Sequence, residues 1–327
     1  MLDYLTLSPD VFGIDVSDLS LKIIKLKKKS DFLALASFGE TEIKPGIIER
    51  GEIKDENALS EIIKKALSKV KGEKIKTKYL AASLPEEGSF MQVIQMPFMS
   101  KEEMERAVYF EAENYIPMPI DSVYLDAQIV KPVSNHLDHI DVLIAALPKK
   151  TVDSYLSSFK KAGFTPLIFE IESQAIARAL VSRENSPEPI LLIDLGASRT
   201  SFIIFSGHSL RFTTTMPIIV SKKNPNFNEL AGQISKYLDY YQNHSGHEHL
   251  SSDGKMVKKI ILCGGGANLK GLGGFISEKL ALQVIAGNPW TNILPRPLLE
   301  VPELSYEESL RYTTALGLAL RGVNYGA

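Results

Sequence analysis

The sequence has a single cysteine, no long apolar run and almost no net charge. Cys263 is the only cysteine among 327 residues, so no internal disulfide can form, which fits a reducing compartment. No stretch reaches the roughly 18 apolar residues of a membrane span, and the N-terminus lacks a basic segment followed by an apolar one. We therefore expect the protein in the cytoplasm. A net charge of -2 gives no reason to expect nucleic acid as a partner, because binding to a phosphate backbone depends on clustered positive charge.

The overall composition and length fit a globular protein with more than one domain. Hydrophobic residues make up 44% of the chain and charged residues 23%, and the length suffices for two domains with sizeable cores. One basic run breaks the even charge distribution, at Lys25, Lys27, Lys28 and Lys29. It is interpreted as a solvated hairpin end, with weak contact to an anionic membrane surface as the alternative.

One signature occurs twice in the chain. An apolar run ends in an acid, at Asp15 and again at Asp194, and small residues then lead into a second apolar run. The pattern predicts two β-hairpins with tight polar turns. A carboxylate at a strand end can hold hydrated Mg²⁺, and the N–H groups of such a turn can bind phosphate oxygens. Two such turns facing each other would clamp the phosphates of a nucleotide, whereas the simpler alternative is that each Asp caps its own turn.

A third motif follows the second hairpin. The predicted strand at residues 259–263 runs into Gly264-Gly265-Gly266-Ala267-Asn268 and then into a predicted helix. Glycines allow a close backbone approach to a ligand, and a helix N-terminus carries partial positive charge. The motif therefore predicts an anion or nucleotide site, with an ordinary tight connection as the alternative.

In this order the three motifs resemble the actin-like ATPase superfamily, in which two phosphate loops precede an adenosine loop. Within it, the chain resembles the PilM-type proteins of type IV pilus assembly, which are relatives of the division protein FtsA. The resemblance covers nearly the whole chain. The residues that carry it are 13–22, 194–200, 264–271, the tail 312–322 and a PilM-specific region at 96–121.

The resemblance implies an α/β, actin-like (ribonuclease H-like) two-domain fold with an inserted α/β subdomain of the FtsA/PilM type. The second-domain insertion is expected to be reduced, because only about a dozen residues separate the strand ending near Met216 from the next predicted helix. Relatives place there a subdomain that holds ribose and adenine. The segment Ser186-Pro187-Glu188-Pro189 predicts a linker. The expected first domain is 1–83 plus 164–187 and 305–327, the partner-binding subdomain is 84–163, and the second domain is 188–304.

The resemblance also implies a site for ATP and Mg²⁺ between the two domains. Asp15 and Asp194 would hold Mg²⁺ through waters, and Gln174 would position the attacking water, unless it is only a solvent-facing helix residue. Ser17 stands where relatives usually have glycine, and with the reduced insertion the expected affinity for ATP is low or absent. The residues expected at the nucleotide are Asp15, Ser17, Asp18, Ser20, Lys22, Asp194, Gly196, Ala197, Ser198, Arg199, Thr200, Gly264, Gly265, Gly266 and Asn268.

A short apolar segment in the PilM-specific region is the expected partner site. Its prolines prevent regular pairing, so it either wedges between subdomains or lines a groove for an extended peptide. The resemblance implies the groove, with the cytoplasmic tail of a PilN-type inner-membrane protein as its ligand. The protein would then be cytoplasmic and peripheral to the inner membrane. The segment consists of Tyr115, Ile116, Pro117, Met118, Pro119, Ile120 and Asp121.

The expected function is a cytoplasmic actin-like scaffold for type IV pilus or related secretion assembly, and at most a slow ATPase. One alternative is a nucleotide-free adaptor, and another is a small-molecule phosphotransferase with Asp18 or Glu172 as general base. An FtsA-like filament protein is a third, although the tail 322–327 is too short and polar for a membrane-binding helix. Self-association is left open. A metal site at His244, His247 and His249 is disfavoured relative to a solvated loop.

Overall fold

The computed structural model describes residues 9–29, 32–131, 139–221, 225–244 and 256–324. The chain divides into two compact units. Unit 1 comprises Met1–Pro85, Asp153–Leu180 and Asn288–Ala327, and unit 2 comprises Glu86–Val152 and Val181–Gly287. No helix among the described residues has the length and apolar character needed to cross a membrane.

Unit 1 is built on a six-stranded sheet with helices packed against it. The strands are β1 Val11–Val16, β2 Ser20–Lys29, β3 Phe32–Glu42, β6 Lys71–Gly72, β7 Tyr79–Leu84 and β11 Thr165–Ile171, in the order β11-β7-β1-β2-β3-β6. A small hairpin consists of β4 Ile48–Glu49 and β5 Glu52–Ile53. The helices are α1 Glu56–Leu67, α4 Glu172–Leu180, α7 Tyr306–Ser309 and α8 Thr313–Val323, with a 3₁₀ turn at Leu310–Tyr312.

Strand β1 lies at the centre of this sheet. It pairs antiparallel with β2 and parallel with β7, and every one of its residues is buried. The predicted first hairpin is therefore confirmed, with Asp15 opposite Lys22 near the turn. A strand covered on both faces carries a continuous apolar run, which is the sequence pattern seen here.

Helix α8 packs closely on the sheet because small residues line the contact. A Cβ on Gly13 of β1 would lie 2.5 Å from the carbonyl oxygen of Ala315, and one on Gly317 would lie 1.9 Å from that of Ala175 in α4. Only glycine permits these approaches. The tail motif thus has a packing role in unit 1.

The segment before α7 also belongs to unit 1. Trp290, Ile293 and Leu304 are buried in one cluster with Ile24 and Leu316. The predicted boundary placed residues up to 304 in the second domain. The observed division places it after Gly287 instead, because these apolar side chains are buried against β2 and α8.

Unit 2 contains a five-stranded sheet and a smaller three-stranded sheet. The strands of the larger sheet are β12 Ser186–Leu195, β13 Thr200–Gly207, β14 Ser209–Met216, β15 Lys259–Cys263 and β16 Gln283–Ala286, with helices α5 Phe227–His244 and α6 Leu272–Leu280. The smaller sheet contains β8 Phe90–Pro97, β9 Val123–Ile129 and β10 His139–Pro148, with helix α2 Lys101–Ala112. The division falls within helix α3 Lys149–Lys161, and 3₁₀ turns occupy Ile120–Ser122 and Ser182–Glu184.

The larger sheet of unit 2 repeats the topology of unit 1. Its order is β14-β13-β12-β15-β16, and the central β12 pairs antiparallel with β13 and parallel with β15. In unit 1 the corresponding order is β3-β2-β1-β7-β11, with the same strand directions. Asp15 and Asp194 thus occupy equivalent positions near the ends of equivalent strands, and the predicted second hairpin is confirmed.

The smaller sheet has a hydrophobic core of its own with α2. Met104 and Val108 of the helix are buried against Ile94, Val142 and Ile144 of the strands. A capping box begins the helix: the Ser100 N–H donates to Glu103 at 2.8 Å, and the Glu103 N–H donates to Ser100 Oγ at 3.3 Å. The helix ends at Ala112, before Pro117.

The predicted linker at 186–189 is wrong. These residues form the first part of β12, where Ser186 pairs with Gly207 and the register shifts before Ile190. Pairing with β15 begins only at Ile190, so residues 186–189 lie beside one strand only, at a bulge. Prolines are tolerated there because a proline lacks the N–H that a second neighbour would require. The short connection after β14 is confirmed, because α5 begins at Phe227.

Candidate functional site

The first acid, Asp15, lies buried near the end of β1. Its Oδ1 accepts a hydrogen bond from Ser83 Oγ of β7 at 3.0 Å, and Ser83 in turn accepts from the N–H of Val16 at 3.0 Å. Asp15 is only 6% exposed. The orientation of the Asp15 carboxylate is therefore fixed by the neighbouring parallel strand β7 rather than by the turn.

The turn after Asp15 gathers hydroxyls and one cation. Lys22 Nζ donates to Ser20 Oγ at 2.7 Å and lies 3.6 Å from Asp15 Oδ2. Ser17 Oγ lies 3.0 Å from the Ser20 carbonyl oxygen, to which it donates, and 3.1 Å from Ser20 Oγ. Four predicted site residues, Asp15, Ser17, Ser20 and Lys22, are thus brought together, and Lys22 points toward the acid.

Asp18 has a different environment from its neighbours. Its Oδ1 accepts from the N–H of Gly51 at 2.9 Å and its Oδ2 from the N–H of Arg50 at 3.2 Å. Arg50 and Gly51 both have positive φ and form the two-residue loop of the β4–β5 hairpin. Asp18 therefore anchors that loop, and both of its oxygens have backbone donors.

The second acid, Asp194, lies against the glycine-rich turn after β15. A Cβ on Gly264 would lie 2.2 Å from Asp194 Oδ1, and Gly264 has a φ of +81°. The N–H of Gly266 donates to the Leu195 carbonyl at 3.0 Å. The second and third motifs are therefore one interlocked structure, which explains why glycine is needed at position 264.

The turn after Asp194 is tight and partly accessible. The N–H of Gly196 donates to the Arg199 carbonyl at 3.0 Å, Ala197 is exposed and Ser198 is half-buried. Thr200 does not face the turn: it is fully buried, and its hydroxyl donates to the Ile218 carbonyl at 2.7 Å.

The Arg199 side chain is buried in an ion pair. Its NH1 lies 2.7 Å from Oε1 of Glu87, which follows β7, and the Arg199 side chain is only 9% exposed. Sequence reasoning missed Glu87, because nothing in the local pattern links it to a residue so far along the chain.

The remaining predicted nucleotide residues are more open. Gly265 and Asn268 are exposed, and nothing lies within 4 Å of a Cβ built on Gly265. Helix α6 begins only at Leu272, after Gly271, so the glycine turn does not lead directly into a helix N-terminus. Gln174 is half-buried near the start of α4 in unit 1.

These residues fit a phosphate-bearing ligand at each turn. The first turn offers the hydroxyls of Ser17 and Ser20 with the Lys22 ammonium, and the second offers Ala197 and Ser198 on an accessible backbone. Hydroxyl, ammonium and backbone N–H groups are the donors that phosphate oxygens require. No group of three or more metal-binding side chains occurs among the described residues. Of the histidines considered for zinc, His247 and His249 lie outside the described residues.

The predicted partner segment turns much of its apolar surface inward. Ile116 is 6% exposed within the core of the smaller sheet, and Met118 and Ile120 pack against that core. Tyr115 is 38% exposed, and Pro117, Pro119 and Asp121 are exposed. The Asp121 carbonyl accepts from Lys149 Nζ at 2.8 Å. The apolar side chains thus hold the segment against the core of the smaller sheet, and Tyr115 is its exposed aromatic side chain.

Nearly the whole chain matches a known family. The family described as type IV pilus assembly protein PilM matches residues 13–217 and 222–323. The chain belongs to this family. The expectation drawn from the three motifs and the 96–121 region is thereby confirmed.

Solved structures confirm the actin-like fold of this PilM-family chain. One described as a PilM-PilN type IV pilus biogenesis complex is 23% identical with a TM-score of 0.79, covering 97% of this chain and 99% of that chain. The ethanolamine utilization protein EutJ from Carboxydothermus hydrogenoformans is 11% identical, with a TM-score of 0.52 and coverages of 94% and 89%. A Bacteroides thetaiotaomicron protein with an actin-like ATPase fold is 11% identical, with a TM-score of 0.50 and coverages of 89% and 95%.

The structure also reveals exposed aromatic side chains that sequence reasoning missed. Phe110 is 77% exposed and Tyr109 is 52% exposed on the last turns of α2, and Phe98 just before the helix is 64% exposed. The available signal was helical spacing: Met104, Val108 and Ala112 form the buried stripe, and Tyr109 and Phe110 fall outside it. Adjacent exposed aromatic residues are typical of interaction sites.

Proposed function

We propose that this PilM-family chain is a scaffold of type IV pilus assembly that binds the cytoplasmic tail of a PilN-type inner-membrane protein. The observation that carries the proposal is the likeness, over nearly the whole of both chains, to the structure described as a PilM-PilN complex. The exposed aromatic surface of unit 2 supplies a place for such a tail. The protein would then be held at the inner membrane through its partner.

The partner-binding surface is defined as Phe98, Tyr109, Phe110 and Tyr115. Aromatic side chains give large contact areas at low entropic cost, and they are frequent among the residues that dominate interface energies. Because Ile116, Met118 and Ile120 pack in the core, we propose that the partner contacts the last turns of α2 and the residues beside them. The proposed contact includes Tyr115 of the segment predicted from sequence.

The charges around this surface indicate the chemistry of the tail. The exposed side chains of α2 and of its C-cap residue Glu113 include four acids and two bases. We therefore expect a tail in which apolar residues lie beside basic ones, because opposite charges at an interface rim favour the correct encounter. The acids are Glu102, Glu103, Glu105 and Glu113, and the bases are Lys101 and Arg106.

Binding of a synthetic PilN-type tail peptide tests this proposal. The double variant Phe110→Ser, Tyr115→Ser should weaken binding by on the order of 100-fold, which corresponds to about 2.7 kcal/mol for two hot-spot residues. Tyr240→Ser is the matched control, since Tyr240 is a 49% exposed aromatic residue of the same unit on α5. Equal binding by the double variant and the wild type would refute the proposed surface.

We further propose that ATP with Mg²⁺ binds through the turns that follow Asp15 and Asp194. Support comes from the equivalent placement of the two acids in sheets of the same topology and from the phosphate donors beside them. Bound Mg²⁺ would neutralise phosphate charge, with Asp15 and Asp194 contacting its waters. Lys22 and the hydroxyls of Ser17 and Ser20 would bind phosphate oxygens at the first turn.

The affinity for ATP should be low and hydrolysis slow. The connection between β14 and α5 is too short to contain a subdomain that binds adenosine. Neither candidate general base is well placed for the phosphotransferase alternative, because Asp18 binds backbone N–H groups and Glu172 is only 7% exposed. Gln174 remains the proposed residue for positioning a water.

A calorimetric titration with Mg²⁺-ATP tests the nucleotide proposal. Saturable binding should occur and should be lost in the double variant Asp15→Ala, Asp194→Ala. If the wild type shows no binding at millimolar ligand, the chain acts as a nucleotide-free adaptor. If the double variant binds as tightly as the wild type, the two acids are not part of the site.

A further inference from the structure

The Arg199–Glu87 ion pair links the second phosphate turn to the start of the smaller sheet. Arg199 lies in the β12–β13 turn, and Glu87 lies in the short connection that follows β7 and precedes β8. The chain passes from unit 1 to unit 2 between Pro85 and Glu86 within this connection. The ion pair therefore joins the turn proposed to bind phosphate to the segment that leads into the subdomain with the partner-binding surface.

A guanidinium in this position has two alternative anionic partners. Arg stays charged at any relevant pH, and it binds carboxylate and phosphate through the same fork of N–H donors. Because the Arg199 side chain is largely buried, its charge requires a close anion, and Glu87 now provides it at 2.7 Å. A phosphate bound at the 196–199 turn would bring a second anion to the same group.

Lys22 at the first turn differs from Arg199 in that its carboxylate neighbour does not compete with the phosphate. Its carboxylate neighbour is Asp15, the acid expected to contact the Mg²⁺ waters, so one metal–phosphate ligand satisfies both groups. Glu87 is not one of the two acids proposed to contact the Mg²⁺ waters, so its carboxylate would compete with the phosphate for Arg199. The two phosphate turns are therefore not equivalent in charge balance.

We infer that the Glu87 carboxylate competes with a bound triphosphate for Arg199. When the triphosphate binds Arg199, the connection between β7 and β8, which leads to the partner-binding subdomain, is loosened. The inference rests on the proposed nucleotide site and adds a regulatory link to it. Triphosphate binding transfers Arg199 from Glu87 to phosphate oxygens. The Glu86–Phe90 segment then loses an ionic contact, and the motion of β8 and its sheet increases.

Neutralising the competitor tests the first part of this inference. Glu87→Gln should bind Mg²⁺-tripolyphosphate and Mg²⁺-ATP about tenfold more tightly than the wild type, because a charged competitor is replaced by a neutral one. The matched control is Glu188→Gln, which removes the exposed Lys258–Glu188 pair of the same unit and should leave the affinity unchanged. In an Arg199→Gln background, Glu87→Gln should give no gain. Thermal unfolding of each variant establishes that it is folded.

The outcomes separate this inference from the nucleotide proposal. If the wild type binds Mg²⁺-ATP and Glu87→Gln binds no more tightly, the competitor role is overturned while the site stands. If neither protein binds either ligand at millimolar concentration, both ideas fail. Hydrogen exchange gives a second readout: saturating Mg²⁺-tripolyphosphate should speed exchange at residues 86–90 in the wild type, and unchanged exchange there would overturn the proposed loosening.

Discussion

At the scale of single residues, Asp15 depends on a serine of a neighbouring strand. Ser83 donates to the carboxylate and accepts from the N–H of Val16, and all three groups are buried. Ser83→Ala removes both hydrogen bonds. The buried N–H of Val16 loses its acceptor, and the buried carboxylate of Asp15 loses this donor. Unfolding in urea should show a loss of about 2 kcal/mol. Ser68→Ala, which removes one exposed bond at the end of α1, should cost less than about 0.5 kcal/mol.

Glycine at position 317 is a second residue whose role is decided by packing. Gly317→Ala would place a methyl group 1.9 Å from the Ala175 carbonyl, so α4 and α8 must separate, at a cost of about 3 kcal/mol. The same substitution at Gly232 in α5 meets no atom within 4 Å and should stabilise the protein by about 0.5–1 kcal/mol. Chemical denaturation of both variants compares them. A stable Gly317→Ala protein would contradict the packing account.

The positions of the two acids were predictable from sequence, but the partners of their neighbours were not. An apolar run followed by Asp and small residues predicts a strand end and a turn from local chemistry alone. That Asp18 binds the loop at Gly51, or that Thr200 binds the Ile218 carbonyl, depends on contacts between segments remote in sequence. Local pattern carries no information on such pairs.

At the scale of elements, a contact between α1 and α3 should make stability depend on pH. The Lys161 ammonium and the Ser157 hydroxyl donate to Glu56 and hold the pKa of its carboxyl below the ordinary value of 4.5. The pKa is lower in the folded state, so the stabilisation is present above about pH 4.5 and is lost as the pH falls through the folded-state pKa.

Glu56→Gln should therefore reduce stability at pH 7 and bring the variant and wild type closer together at pH 3. Urea unfolding at several pH values measures the difference. Glu61→Gln, which removes an exposed pair with Lys64 in the same helix, should show little effect at any pH. A difference between Glu56→Gln and wild type that stays constant from pH 7 to pH 3 would contradict this assignment.

The start of a helix leaves a more local signal in the sequence than a connection does. Ser100 and Glu103 lie three residues apart and begin α2 with a capping box, which involves only adjacent backbone. The prolines at 187 and 189 were misread as a linker, because tolerance of proline depends on whether the strand has a neighbour at that point. Only the sheet order supplies that information.

At the scale of the whole molecule, the actin-like fold was predictable from the family resemblance that three motifs in order carry, whereas the boundaries between its units were not. The repeated sheet topology explains why the same acid-turn signature occurs twice. The segment from Asn288 to Leu304 packs in unit 1 because Trp290 and Ile293 fit its core, a match of shape that composition does not reveal.

Recruitment to a membrane tests the central claim most directly. Purified protein is mixed with vesicles that carry a PilN-type protein with its cytoplasmic tail outward, and the vesicles are floated through a density gradient. The account predicts that the protein floats with these vesicles and not with protein-free vesicles of the same lipid composition. Flotation with neither kind of vesicle, or equally with both, would contradict a scaffold held at the membrane by a PilN-type tail.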